Sequence, residues 1–322
     1  MPMPANEPLI EAIDLHKSYG SRVVLDGISL AVRQGEVVGL LGPNGAGKTT
    51  TISILATLLQ PDAGEVRICG KVPSSRRAEL RCHLGLVPQS LALYPSLTAL
   101  QNVELFARLH GMGRSEARAE SMRVLGEVGL SDRARDPVAK LSGGMKRRLN
   151  LSCGLVHRPD VILLDEPAIG VDPQSREQIL LIVRSAANAG AAVIYCTHYM
   201  EEVERMCDRV LLIDRGKLIA QGTVAELVAS SGGRPLMEIR FDEQPPASWS
   251  SMLAGKVDLS PASSDKRVAL KLTHLVQVSE VLDHARAAGA RVLDFTVRSP
   301  TLSDAFIALT GRPLRDDESD SD

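Results

Sequence analysis

The chain has 322 residues, 37 Lys and Arg against 39 Asp and Glu, a formal net charge of −2, and 44 % apolar side chains. That length holds one large domain and a small one. The near-neutral charge and an aromatic content of only 3 % leave neither the basic footprint nor the stacking surface of a nucleic-acid binder.

The opening residues, Met1-Pro2-Met3-Pro4-Ala5-Asn6-Glu7-Pro8, lack the basic start and apolar core of a signal peptide. From Leu9 to about Gly70 the pattern predicts an antiparallel β portion around a first parallel strand and a helix. Asp26-Gly27 and Gln34-Gly35 supply turns there. Val37-Val38-Gly39-Leu40-Leu41 is a short apolar run that reads as a buried strand. It leads into Gly42-Pro43-Asn44-Gly45-Ala46-Gly47-Lys48-Thr49, then Thr50: two glycines five apart, followed by Lys and Thr. Ile52, Ile54, Leu55, Leu58 and Leu59 continue near helical spacing. A strand–loop–helix of this kind gathers backbone N–H groups and the positive end of a helix around phosphates. Glycine is needed where the main chain approaches oxygen closely or takes a positive φ. Lys48 is expected to reach the β and γ phosphates of a nucleotide, and the Thr49 hydroxyl to ligate Mg²⁺.

From about Ser96 to Gly129 the spacing is helical, through Leu97, Leu100, Val103, Phe106, Leu109, Met122, Leu125 and Val128. Val161-Ile162-Leu163-Leu164 reads as a central strand of a mostly parallel sheet and ends in Asp165-Glu166-Pro167. Paired carboxylates at a strand end beside a phosphate loop divide the labour. Asp165 would hold Mg²⁺ through its water shell, and Glu166 would orient and deprotonate the attacking water. The longest apolar stretch, Ile179 to Cys196, is interrupted by Arg184 and Gly190, so it reads as a helix, a turn and a strand rather than a membrane span. A transport pore would then belong to another polypeptide.

Ser230-Ser231-Gly232-Gly233-Arg234-Pro235 reads as a linker. Beyond it, strands are predicted at Leu236 to Phe241, Val268 to Leu272 and Val292 to Val297, with a helix at Val276 to Ala288. Ser299-Pro300 would open a last helix, Ser as N-cap and Pro at the first position. Arg315 to Asp322 is acidic and is expected to be disordered. The predicted division is a first domain over 9–233, a small α+β domain over 235–311 and a tail over 312–322. Cys69, Cys82, Cys153, Cys196 and Cys207 show no CxxC pair or other metal-ligand spacing. They read as buried, reduced thiols, as in a cytosolic protein.

Between the phosphate loop and the acidic strand stands Leu141-Ser142-Gly143-Gly144-Met145. It resembles the signature of ABC-type ATPases. The resemblance implies an α/β P-loop fold: a parallel core sheet, an antiparallel β portion and a helical subdomain, here with a small C-terminal domain. In that family the signature clamps ATP held by a second subunit, which implies a head-to-tail dimer in which Ser142, Gly143 and Gly144 serve the partner's nucleotide. Gln89, in Gly85-Leu86-Val87-Pro88-Gln89-Ser90, resembles the glutamine that touches Mg²⁺ and senses the γ-phosphate. His198, after Val193-Ile194-Tyr195-Cys196-Thr197, resembles the switch histidine that contacts it. Asp172 matches the aspartate of the loop crossing the dimer interface, and Tyr19 sits where a ring stacks on adenine. Met145 and Ala168 depart from the commoner Gln and Thr, outside the phosphate clamp. Lys146, Arg147 and Arg148 follow in the first turn of the next helix. There they oppose its dipole, and they suggest either a nearby anion or a solvated face.

The helix from Leu302 to Gly311, the run Thr197-His198-Tyr199-Met200-Glu201-Glu202 and Met145 resemble a subgroup of exporter ATPases. These pair with separate ABC-2 type membrane subunits. The resemblance implies an ATP-hydrolysing subunit with ATP and Mg²⁺ as cofactors. Its partners would be a second copy of itself and an integral-membrane permease on another chain, at the cytoplasmic face of the membrane, with no nucleic acid. The permease would dock near Gln89 and Leu91-Ala92-Leu93-Tyr94-Pro95. The cargo class implied is drugs or antibiotics, with lipids or polysaccharides as the alternative. A soluble ABC ATPase acting on nucleic acid or ribosomes would need a coiled-coil insertion, zinc cysteines or a second cassette, and the sequence has none of these.

Overall fold

The computed structural model describes residues 7–73, 77–246, 249, 253, 258–264 and 266–312. The readings made for Met1 to Asn6 and for the acidic end from Arg315 lie outside the described residues. Residues up to Val224 form one compact unit, and those from Ala225 form a second.

In the first unit, β1 (Ile10–Tyr19), β2 (Arg22–Val32) and β4 (Ala63–Ile68) make an antiparallel sheet in the order β2-β1-β4. β3 (Val37–Leu41), β5 (Leu84–Val87), β6 (Val161–Asp165), β7 (Ala192–Thr197), β8 (Arg209–Asp214) and β9 (Lys217–Gly222) form the main sheet. Its order is β5-β6-β7-β3-β8-β9, and it is parallel except for β9.

The unbroken apolar runs have a direct cause, since the strands are covered on both faces. Along β6, Ile162 and Leu164 join the core of α3 (Ala99–Leu109), α4 (Arg114–Glu127), α5 (Gly143–Leu155) and α6 (Pro173–Asn188). Val161 and Leu163 point the other way, onto α1 (Lys48–Leu55) and the antiparallel sheet, with Ile10, Leu25, Ile52 and Leu55. Each such side chain contributes about 1.5–3 kcal/mol when fully buried. A period of two therefore looks like a continuous run only because neither face meets water. Also in this unit are α2 (Arg77–Arg81), α7 (Met200–Met206) and two single 3-10 turns, Ser131–Arg133 and Val138–Lys140.

α8 (Val224–Ser230) begins at the boundary, upstream of the stretch read as a linker. Ser230 and Ser231 donate their hydroxyls to the carbonyls of Leu227 and Val228, and a Cβ added at Gly233 would stand 2.9 Å from Pro300 Cβ. These residues close a helix and pack, which their composition does not reveal. The second unit has an antiparallel sheet in the order β11-β12-β10-β13, from β10 (Leu236–Phe241), β11 (Asp258–Ser264), β12 (Arg267–Lys271) and β13 (Val292–Arg298). Strand β11, with its Ser and Pro, gave no strand signal in the sequence.

A helix over Gln277–Ala287 helps enclose a separate core around Met237, Phe241, Trp249, Leu270 and Val281. The Phe241 and Trp249 rings meet edge-on there, 5.0 Å apart. The last helix starts at Leu302, not at Pro300. Thr301 is its N-cap, because Thr301 and Asp304 satisfy each other's backbone N–H groups in a capping box, which Ser299 cannot do from its position. Among the described residues, no helix is long and apolar enough to cross a membrane.

Candidate functional site

β3, β6 and β7 run side by side in one direction, with Leu41 opposite Thr197 and Asp165 opposite Cys196. The loops after them therefore converge at the carboxyl edge of the sheet, the usual ligand position in open α/β folds. Two glycines make the first loop possible for different reasons. A Cβ at Gly42 would lie 2.2 Å from the Ile213 carbonyl oxygen. Gly47 takes φ +106°, and a Cβ there would meet Leu25 Cδ2 at 2.6 Å. The loop is tied down by Ala46 N–H to Pro43 O at 3.1 Å and Gly216 N–H to Ala46 O at 3.0 Å. Gly47 caps α1 without a side chain, so the helix N-terminus presents backbone donors and the positive end of its dipole.

Tyr19, Asn44, Gly45, Gly47, Lys48, Thr49, Thr50, Gln89, Glu166 and His198 line one cavity of about 1080 Å³. Gly42, Pro43 and Ala46 shape the loop without lining it. Arg22, Val24, Ile169 and Tyr199 also line the cavity, and sequence reading missed all four. Arg22 sits across the β1–β2 turn from Tyr19 and Tyr199 follows His198, so adjacency was the one available signal. Lys48 is 5 % exposed and donates from Nζ to Gly42 O at 2.6 Å and Pro43 O at 3.1 Å. Burial pushes its pKa down, while nearby acidic groups, Glu166 and Asp165 among them, pull it up.

Glu166 has a left-handed backbone, φ +46°, which costs a non-glycine residue roughly 1 kcal/mol or more. Its N–H donates to Cys196 O at 2.9 Å, which ties the turn to β7. Its carboxylate is held at both oxygens. Gln89 Nε2 donates to Oε2 at 3.0 Å, and His198 Nδ1 lies 3.0 Å from Oε1. The histidine contact holds the Glu166 pKa below the ordinary carboxylate range, against desolvation. Asp165 behaves oppositely: burial raises its pKa, and the Thr49 hydroxyl counters this in part. Its Oδ1 is buried and finds no hydrogen-bond donor among the described residues. An orphaned carboxylate oxygen beside a threonine hydroxyl suits a hard, oxygen-seeking divalent cation such as Mg²⁺.

A buried brace supports the histidine loop. Glu202, 3 % exposed, accepts from Tyr195 Oη and Thr197 Oγ1, each at 2.9 Å, and lies 3.4 Å from Arg176 Nε. Arg176 in turn covers the Tyr199 ring, and Tyr199 stacks obliquely on His198.

Ser142, Gly143, Gly144 and Asp172 do not line the cavity; they form a second cluster. Ser142 caps α5, its Oγ accepting the Met145 N–H at 3.3 Å. Asp172 caps α6, accepting the Ser175 N–H at 2.9 Å and its hydroxyl at 2.7 Å, bonds that lower its pKa. A Cβ on Gly144 would fall 2.2 Å from Ser175 Oγ, so the two caps touch. The basic residues after the signature turn inward: Arg147 donates to the Gln89 carbonyl and Arg148 to Val128 O. Each spends one N–H group on a backbone acceptor, and a carboxylate lies within electrostatic reach of each, Glu166 for Arg147 and Asp172 for Arg148.

The chain matches the family model described as ABC transporter over residues 25–169. It is 39 % identical over 311 residues to the linearmycin resistance ATP-binding protein LnrL of Bacillus subtilis (strain 168), covering 96 % of this chain and 100 % of that protein. It is 40 % identical over 311 residues to the Nod factor export ATP-binding protein I of Paraburkholderia xenovorans (strain LB400), covering 96 % and 99 %. The daunorubicin resistance ATP-binding protein DrrA3 of Streptomyces coeruleorubidus is 38 % identical over 306 residues, covering 93 % and 95 %. Among solved structures, an ATP-binding subunit of an ABC transporter superposes with a TM-score of 0.64 at 30 % identity, over 70 % of this chain and 93 % of its own. The dimeric cassette MJ0796, in a post-hydrolysis state bound to ADP and Pi, gives 0.61 at 27 % identity, over 66 % and 98 %. The chain belongs to the ABC transporter family, as an ABC-type ATPase that serves as the ATP-binding subunit of an exporter of the kind those relatives represent.

Proposed function

We propose that two copies of this chain close head to tail on two ATP molecules, and that closure drives a separate ABC-2 type permease at the cytoplasmic face of the membrane. Tyr19 stacks on adenine, and the Gly42–Thr50 loop cradles the phosphates, with Lys48 on the β and γ groups. Ser142, Gly143, Gly144 and Asp172 reach the partner's nucleotide. Their separation from the cavity within one chain supports that division. Thr49, Gln89 and Asp165 would hold Mg²⁺, which neutralises charge on the β and γ oxygens when bound. Glu166 accepts a proton from the attacking water, and His198 fixes Glu166 through Nδ1 while its ring faces the γ-phosphate. Binding energy shifts the closed state, and hydrolysis releases it.

The observation that carries this reading is the Glu166 carboxylate gripped by Gln89 and His198 in one cavity with Lys48. Leu91 and Tyr94, 40 % and 53 % exposed, offer the permease an apolar contact beside Gln89. Leu93, expected with them, packs against the helical core instead. Drugs or antibiotics are the favoured cargo class, supported by the resistance named for two relatives. A lipid- or saccharide-like cargo is the second reading, supported by the Nod factor exporter. Glu166→Gln should bind MgATP, elute as an ATP-bound dimer and hydrolyse about 10²–10⁴-fold more slowly. Phosphate release within a few-fold of wild type would remove Glu166 from the role of base.

A further inference from the structure

At the opposite, amino edge of the main sheet, side chains from three separate parts of the chain meet. Cys69 Sγ, a ring nitrogen of His83 and a carboxylate oxygen of Asp160 all lie within 4.8 Å of one another. His83 immediately precedes β5 and Asp160 immediately precedes β6, strands paired with Leu84 opposite Val161. His83 Nδ1 lies 2.5 Å from Asp160 Oδ2. Cys69 arrives from the other sheet, one residue past β4, with its N–H donating to Leu9 O at 2.8 Å. None of the three lines the nucleotide cavity.

A histidine–aspartate pair alone is an ordinary surface contact. The cysteine makes this one different, because its backbone argues against it. Ile68 and Lys71 exchange both backbone hydrogen bonds around Cys69-Gly70, and both central residues have positive φ, +48° and +72°. This two-residue turn favours Asn, Asp or Gly at its first position, and a thiol gains nothing there locally. A residue that breaks a local rule with no local compensation is where a functional or strained site is to be sought.

We propose that Cys69, His83 and Asp160 form a zinc site that clips the antiparallel sheet to the β5–β6 edge of the main sheet. Thiolate, imidazole and carboxylate are the borderline-soft donor set that zinc takes, with a water completing the tetrahedron. The Cys69 thiol loses its proton to solvent as the sulfur–metal bond forms. Metal–ligand bonds of about 2.0–2.3 Å require the His83–Asp160 contact to open and the cysteine sulfur to close in by roughly an ångström. Side-chain rotation supplies that, since the cysteine and histidine are half-buried and the aspartate is exposed. Gln89 and the Asp165-Glu166 pair lie at the far ends of the same two strands, on the order of 15–20 Å away at about 3.3 Å per residue. The zinc therefore acts on the framework of the hydrolytic residues rather than on ATP.

The test titrates Co²⁺ into the full-length, nucleotide-free protein. One equivalent should give a thiolate-to-cobalt charge-transfer band that Zn²⁺ abolishes. Binding at the Mg²⁺ position near Asp165 cannot produce that band, because no sulfur ligand is assigned there. His83→Ala and Asp160→Asn should weaken binding beyond the about 10–100-fold typical of losing an outer-shell partner. Cys69→Asn fits the turn better, so it should eliminate the band while raising the metal-free Tm by about 2 °C; this keeps loss of metal separate from loss of fold. Saturating Zn²⁺ should raise the wild-type Tm by about 5 °C and leave Cys69→Asn unmoved. No band in the wild type, a band that survives Cys69→Asn, or one that disappears with Cys82→Ser instead overturns the assignment.

Discussion

Single residues in this protein are chosen by what they must not be as often as by what they are. Gly42 and Gly47 exclude a side chain so that the loop can pass under Ile213 and turn left-handed. Gly144 does the same between the caps of α5 and α6. Gly144→Ala would put a methyl 2.2 Å from Ser175 Oγ and 3.3 Å from Asp172 Oδ2, and overpacking of this kind costs typically about 1–3 kcal/mol. The variant should melt earlier and lose at least about tenfold of its ATPase rate, on the scale of one lost transition-state contact. Affinity for a fluorescent ATP analogue should hold, because the Lys48 cavity is untouched. An unchanged Tm together with near-normal phosphate release would refute the close packing of the two caps. Glu166 is the converse case, a bulky residue held at positive φ by its bonds to Cys196, Gln89 and His198. Strain there is the condition for aiming its carboxylate into the cavity.

Among the elements, the joint between the helical subdomain and β5 carries a pH dependence. His110 is the C-cap of α3, and its ring stacks on His157, just past α5, with centroids 3.5 Å apart. His157 Nε2 bonds Leu84 O at 2.9 Å, while Nδ1 is buried with no partner among the described residues. Burial, then the neighbouring ring, push the His157 pKa from 6.5 down to about 4. The unfolded chain therefore takes up this proton at a higher pH than the folded one. The folded state keeps its full advantage above about pH 6.5 and loses it as pH falls toward 4. Allowing for partial exposure, that loss is roughly 1–2 kcal/mol between pH 7 and 4.5. His157→Gln can retain the bond to Leu84 O but has no proton to gain, so its urea midpoint should fall less over the same range. Parallel pH profiles for wild type and variant would show that protonation elsewhere sets the acid sensitivity.

At the scale of the whole molecule, one chain holds a cavity lined by its glycine loop and Lys48, and a signature cluster that does not line it. The arrangement makes sense for a site completed by a second copy. Lys48→Ala and Ser142→Arg should each inactivate a homodimer, the first by removing the phosphate contact, the second by blocking the clamp. Mixing the two puts both lesions in one site of a heterodimer and leaves the other whole, so part of the activity should return. If the mixture stays as inactive as either parent across all ratios, the nucleotide is not shared between chains.

The local geometry of the glycine loop and of the strand ending in Asp165 was legible because a glycine has to stand where no Cβ fits and an unbroken apolar run has to be buried; the roles of these residues toward a nucleotide rest on the proposal. The sheet was legible because burial on both faces leaves an unbroken apolar run. Arg22, Ile169 and Tyr199 were not, since nothing in their own neighbourhood distinguishes a side chain that lines a cavity from one that meets water. Arg147 and Arg148 left a nearby anion and a solvated face both open, because a charge run is locally compatible with either; the fold sets Glu166 and Asp172 near them and the distant carbonyls of Gln89 and Val128 on their N–H groups. Serines and glycines at 230–233 read as a linker, and the packing of Gly233 on Pro300 made them part of a unit. The five cysteines gave no metal spacing, because the pairing of β5 with β6 sets His83 beside Asp160 and the packing of the other sheet brings Cys69 to them. The sequence by itself determined the motifs whose chemistry is complete within a few residues. Every grouping assembled across strands was decided by the tertiary structure, since the hydrogen-bonded register of the sheet, not proximity along the chain, sets which side chains share a site.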